Sequence, residues 1–232
     1  MQASNAARDT ILSSIRESLA ASSPFDAIHS EHQTKQDAPA NRNLVKTNFI
    51  QPDTNALAEI FRENLETVGG TCRIVGNDLA ATRAIEEIVS ALDAKRIAIT
   101  DVPTVRNLCL PPPNGAEILL NASAEELFAC DVGITGAQYA IAETGTLVLE
   151  SEHERNRLTS LVPPVHICLL DARDIRERMI EVLEVLHKDS REKLDRAVTF
   201  ITGPSRTSDI ELTLAIGVHG PRELHVIVMN NV

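Results

Sequence analysis

The run Gly203-Pro204-Ser205-Arg206-Thr207-Ser208-Asp209-Ile210-Glu211 gathers groups able to hold a small anion. Gly203 lets backbone come close, Ser205 and Thr207 bring hydroxyls, Arg206 brings a two-pronged cation and Asp209 a carboxylate. The run follows an apolar stretch at 197–202, so the spacing predicts a strand passing into a helix. Free N–H groups at a helix start favour a carboxylate or phosphate, and open α/β sheets usually bind ligands outside the carboxyl ends of their strands. Ser208 and Glu211 also have the S-x-x-E spacing of a capping box, which by itself accounts for both as parts of a helix start. Arg206 is not needed by that box and is the sharper candidate for a ligand contact.

A second run, Ala142-Glu143-Thr144-Gly145-Thr146, sets a carboxylate beside a glycine at a tight turn. Glu143 has the chemistry of a nucleophile, a base or a partner for a substrate hydroxyl; the plain alternative is a solvated turn acid. Thr144 and Gly145 share its turn, and upstream Gly133-Ile134-Thr135-Gly136 offers small residues near the same strand. Glycine there permits close approach of a backbone or ligand, and a bulge needs it equally. Arg155 and Arg157 either join Arg206 in a positive cluster or pair with Glu152 and Glu154 at the surface. His219, in Gly217-Val218-His219-Gly220-Pro221, falls in a loop before the last strand, either a binding loop or a histidine bonded to backbone.

Several chemistries lack their ligands. The seven histidines include no H-x-x-x-H or H-E-x-x-H spacing, and Cys72, Cys109, Cys130 and Cys168 are scattered without a C-x-x-C pair. Neither a zinc site nor an iron–sulfur cluster is expected in this chain, and the thiols are expected to be buried and free. No P-loop is present, and no G-x-G-x-x-G follows a strand.

These residues need elements to position them. Residues 1–20 carry Ile11, Leu12, Ile15 and Leu19 at helical spacing, an amphipathic helix that needs a surface, on a partner or on a second copy of the chain. Residues 21–43 are polar and read as a linker, and 44–232 as the domain proper. There Asp53 caps a helix bearing Leu57, Ile60, Phe61, Leu65 and Val68, ended by Gly69-Gly70. Strands are expected at 71–75, 96–100, 117–120, 165–170, 197–202 and 223–229, with helices at 80–92, near Thr104 and along Ile175, Met179, Leu183 and Leu186. The runs 133–142 and 146–149 are separated by three residues, too few for a crossover helix, so they form a hairpin inserted in the sheet. The expected fold is α/β, a three-layer α/β/α sandwich whose mostly parallel sheet carries an antiparallel hairpin.

Composition agrees. With 43% hydrophobic residues and no Trp, the core must be Ile, Val, Leu and Ala, which suits a buried parallel sheet. A net charge of −11 argues against nucleic acid as a partner. No run reaches the length of a membrane span, and residues 1–20 lack the form of a signal peptide, so the expected location is the cytoplasm.

The stretches 131–137, 142–147, 203–211 and 217–221, in this order, resemble the lactate utilization protein C family, which carries the LUD domain. The likeness covers roughly residues 45–230 and implies a fold similar to the sugar-phosphate isomerase and CoA-transferase group. It also implies a place beside iron–sulfur partner proteins in oxidising L-lactate to pyruvate. A larger relative joins this domain to cluster-binding cysteines; the present chain lacks them and looks like the cluster-free member, with clusters expected only in its partners. Class I CoA-transferases use a glutamate in an E-x-G turn as nucleophile, and Glu143-Thr144-Gly145 is similar. Two functions follow: a non-redox subunit that binds a small anion, or a free-standing transferase or isomerase using Glu143.

Overall fold

The computed structural model describes residues 12–14, 53–151, 157–189, 197–208, 214–217 and 219–230, with backbone only at 188, 189, 207, 208 and 214–216. The chain divides into two units, 1–49 and 50–232. In the first, only 12–14 are described, and they are helical. The rest of the expected N-terminal helix and linker lies outside the described residues.

In the second unit, Asp53 caps α1 (Thr54–Thr67) by accepting from the Asn55 N–H. The helix stops at Gly69, whose φ of +88° suits glycine. Then come β1 (Thr71–Val75), α2 (Asp78–Ala91), β2 (Arg96–Ile99), α3 (Pro103–Cys109), β3 (Glu117–Leu120) and the short α4 (Ala124–Leu127). Asn77 caps α2, Pro103 starts α3 where a missing N–H costs nothing, and Ser123 with Glu126 forms a capping box on α4. Next are β4 (Val132–Gly136), β5 (Tyr139–Ile141), β6 (Thr146–Glu150), β7 (Val165–Asp171), β8 (Ile175–Arg176), α5 (Met179–Asp189), β9 (Val198–Ile201), β10 (Arg206–Ser208), β11 (Leu214–Ile216) and β12 (Glu223–Met229).

Six strands form one sheet in the order β1-β12-β7-β4-β2-β3, and every neighbouring pair is parallel. Alternation along β7 divides the core. Val165, Ile167 and Leu169 face α2 and α3, together with Ile97, Ile134 and Ile227. Cys168 and Leu170 face α1 and a second sheet, with Phe61, Leu65 and Val226. The mostly parallel α/β architecture is therefore the expected one, with helices on both faces.

Three details differ from the expectations. The run 133–142 divides: Val132–Gly136 enters the parallel sheet, while Tyr139–Ile141 pairs antiparallel with β6. That hairpin is not inserted in the parallel sheet but belongs to a separate sheet of order β8-β5-β6-β9. β9 is thus an antiparallel edge of this second layer rather than a parallel strand. Ile175 lies in β8, paired parallel with β5, not in the helix. α5 consequently buries Val182 against the second sheet with Leu186 half-buried beside it, and leaves Met179 and Leu183 exposed. Finally, 206–208, expected to lead into a helix, is a strand paired antiparallel with 214–216, and the residues between, 209–213, lie outside the described residues. Leu214 and Ile216 continue an alternation with Ile210 and Leu212 in the sequence, a period-two signal that agrees with the strand at 214–216. Among the described residues, no helix is long and apolar enough to cross a membrane.

Candidate functional site

The loops at 203–205 and 217–222 lock together through backbone. Ser205 N–H donates to the Pro221 carbonyl at 2.8 Å, and Gly217 N–H donates to the Ser205 carbonyl at 3.0 Å. Gly203 and Gly217 make this possible with φ of +83° and +80°. A Cβ on Gly220 would lie 3.2 Å from Ser205 Cβ, a tight contact that the glycine relieves where the loops meet. Between these loops, β9 and the starts of β7 and β12 lies a cavity of about 200 Å³, lined by residues including Thr199, Thr202, Gly203, Ser205, His219 and Leu224. Leu161, His219 and Gly220 also border a more open cleft of about 620 Å³ beside Cys130, Asp131, Arg222 and the exposed Phe128.

His166 lines the smaller cavity and was missed by the sequence reading, which took 165–170 as apolar core. It is the second residue of β7, on the face turned to the second sheet, and only 1% exposed. Its Nε2 lies 2.9 Å from Thr135 Oγ1, and Thr135 reaches Cys168 Sγ at 3.8 Å. Nδ1 has no hydrogen-bond partner. Loss of solvent pushes the imidazole down to about 3, with a smaller push from His225, so it is neutral at ordinary pH. The available signal was a lone polar ring inside an otherwise apolar buried strand, since such groups need partners.

His166 and Leu224 are second residues of β7 and β12, so this cavity lies over the amino ends of the parallel strands. The 203–208 segment does not leave a carboxyl end of the parallel sheet as expected, because β9 belongs to the second sheet and the segment turns back as β10. Arg206 is displaced with it and lines neither cavity. Its guanidinium lies over Gly69, where a Cβ would collide with it. There it stands at the carbonyl end of α1, a favourable place for a cation. Thr207 is described by backbone alone, paired with Ala215, and Asp209 and Glu211 lie outside the described residues.

The turn of the hairpin rests on the end of α1 that leads into β1. Asn64 Nδ2 donates to the Ala142 carbonyl at 2.8 Å, and Gly145, at φ +62°, sits so close to Leu65 that a Cβ would meet its backbone. Glu143 is exposed; its Oε1 accepts from Met179 N–H at 2.8 Å, and its own N–H donates to the Glu177 carbonyl at 3.0 Å. The carboxylate thus caps the start of α5. Thr144, Thr146 and Thr202 form a chain of hydroxyls at 2.7 Å per step, from this turn to the cavity rim. Gly136 is buried at the end of β4 opposite Leu169. Gly133 serves close approach, since a Cβ there would strike the Thr159 carbonyl. Arg157 is exposed in the 3-10 turn Arg157–Ser160, and Arg155 lies outside the described residues.

The four cysteines are free and buried, Cys72 on β1, Cys109 at the end of α3, Cys130 after α4 and Cys168 on β7. Burial pushes the Cys72 and Cys109 thiols up to about 12, away from the reactive thiolate. Among the described residues, no group of three or more His, Cys, Asp or Glu is placed to hold a metal ion.

Residues 58–229 match the LUD domain family. An uncharacterised protein of Neisseria meningitidis is 46% identical over 99 residues, 43% of this chain and 42% of that protein, so the match spans less than half of the relative. Lactate utilization protein C of Oceanobacillus iheyensis is 34% identical over 194 residues, covering 81% of this chain and 76% of that one. The crystal structure of a DUF162 family protein from Deinococcus radiodurans matches with a TM-score of 0.59 at 25% identity, over 76% of this chain and 98% of that chain. Most of the 50–232 unit is thereby accounted for, and the chain belongs to the LUD domain family, alongside the lactate utilization protein C sequences.

Proposed function

We propose that this chain serves L-lactate oxidation to pyruvate in the cytoplasm, as a subunit without an iron–sulfur cluster that acts beside iron–sulfur partner proteins and binds a small anionic ligand. One observation carries the ligand part: the 203–205 and 217–221 segments, on either side of the β10–β11 pair, meet at a cavity. Gly203, Ser205 and His219 are its residues from the sequence reading, joined by Thr202 and His166. Ser205 and His219 are assigned to the ligand's carboxylate. The pathway rests on the names of the relatives, and the absence of a cluster on four cysteines set apart on different elements.

Among the described residues, no contact favours the transferase alternative. Glu143 is committed to the start of α5, and it is assigned a positioning role. The test is to purify the chain alone and with iron–sulfur proteins encoded beside it, then assay lactate-dependent dye reduction. Activity only in the mixture, with iron only in the partners, is expected. Stoichiometric iron in this chain prepared anaerobically, or full activity of the chain alone, overturns the subunit reading.

A further inference from the structure

We propose that the open cleft beside Phe128 is the interface between two copies of this chain related by a two-fold axis, each copy's Phe128 entering the other's cleft. The inference goes beyond the proposed function and does not rest on the smaller cavity. Among the described residues Phe128 is the most exposed large apolar side chain, at 80%. It directly follows the short α4, whose last residue, Leu127, is fully buried. The backbone is therefore anchored one residue earlier, and the ring is held out in solvent. A single exposed apolar residue is ordinary, but this one adjoins a cleft of about 620 Å³ whose wall includes buried Cys130 and half-buried Leu161 and Val162. An aromatic ring seated in such a recess is the usual anchor of a protein–protein contact.

Shape and charge identify the occupant. A two-fold contact sets one patch against itself, so the patch must carry both halves of every pairing. This one does: Phe128 is a knob beside a hole, and Arg222 and Asp131 put a cation and a carboxylate on the same lining. Asp131 is fixed in place, because its Oδ2 accepts from the Lys95 and Arg96 N–H groups at 2.8 and 3.0 Å, which leaves Oδ1 for a guanidinium. Arg222 is exposed and forms no ion pair among the described residues. Across the two-fold axis, Arg222 of each copy meets Asp131 of the other. Copies of a chain with net charge −11 repel one another at long range, and a patch in which cation and carboxylate balance relieves that repulsion. A strongly acidic or strongly basic partner would meet a like charge there.

The experiment uses the full chain. Sedimentation velocity over a concentration series is expected to show a monomer–dimer equilibrium that Phe128→Ser and Arg222→Glu each weaken about tenfold or more, the effect of truncating an anchor or setting like charges opposite. Both residues are exposed, so the circular dichroism spectrum of either variant is expected to match the wild type. Position is read separately, by replacing Phe128 with photoreactive p-benzoylphenylalanine in a mixture of ¹⁴N and ¹⁵N protein. Cross-links between the isotopes, from position 128 to residues 161–164 or Arg222, are expected. A monomer at every concentration, self-association that both substitutions leave intact, or cross-links confined to one chain overturns the proposal. Cross-links to an added iron–sulfur protein and none to a second copy overturn it as well, and assign the cleft to that partner. Should either variant lose its fold, the cross-linking decides alone.

Discussion

Glu143 and His166 differ in what surrounds them. The conspicuous acid accepts from Met179 N–H and holds the start of a helix, whereas the inconspicuous histidine borders the cavity. Glu143→Ala is expected to cost about 1 kcal/mol by removing a helix-start acceptor, roughly 2–4 °C in Tm, with Glu143→Gln losing less. Incubation with acyl-CoA thioesters should leave Glu143 unmodified by mass spectrometry; an adduct that vanishes in Glu143→Gln would restore the transferase. His166 makes stability depend on pH. The unfolded chain takes up this proton near 6.5 and the native one only near 3, so stability is full above 6.5 and falls as pH drops toward 3. The slope from this residue is about 1.4 kcal/mol per pH unit. Urea midpoints between pH 7 and 5 should fall less steeply in His166→Gln; parallel curves would show that the ring takes up its proton in the native state as readily as in the unfolded one.

The elements meet through glycines that carry definite contacts. Gly145 combines a left-handed backbone with contact to Leu65, and Gly133 admits the Thr159 carbonyl. Alanine at either position is expected to cost about 2 kcal/mol or more, a Tm drop of several degrees, through strain and overpacking. Gly76, where nothing lies within 4 Å, is the control and should tolerate alanine. Equal Tm values across the three variants would mean that the hairpin and the 157–160 turn do not pack as described. Elements were legible where period and punctuation agreed, as in α1 with Asp53 and Gly69 at its ends. Around Ser208 two local signals competed, a capping-box spacing and an alternation through Ile216, and the described residues on either side, 206–208 and 214–216, are strands.

At the scale of the whole molecule, the family match begins at residue 58 and leaves the first stretch outside the domain. Deleting residues 1–43 should leave the main melting transition nearly unchanged while altering the assembly size seen by light scattering; a collapse of stability would place the N-terminal helix in the core. By itself, the sequence determined the α/β class, the parallel core and the segments of interest. Apolar runs, turn residues and caps are local properties, and chemistry of that range is written in neighbouring residues. Tertiary structure alone decided which sheet each strand joins, and with it the site. β9 passing to the second sheet carried Arg206 to the end of α1. Pairing β7 with β4 brought Thr135 to His166 and left Nδ1 facing no partner. Whether a buried polar atom is paired depends on residues far away in the chain, and no local pattern encodes that.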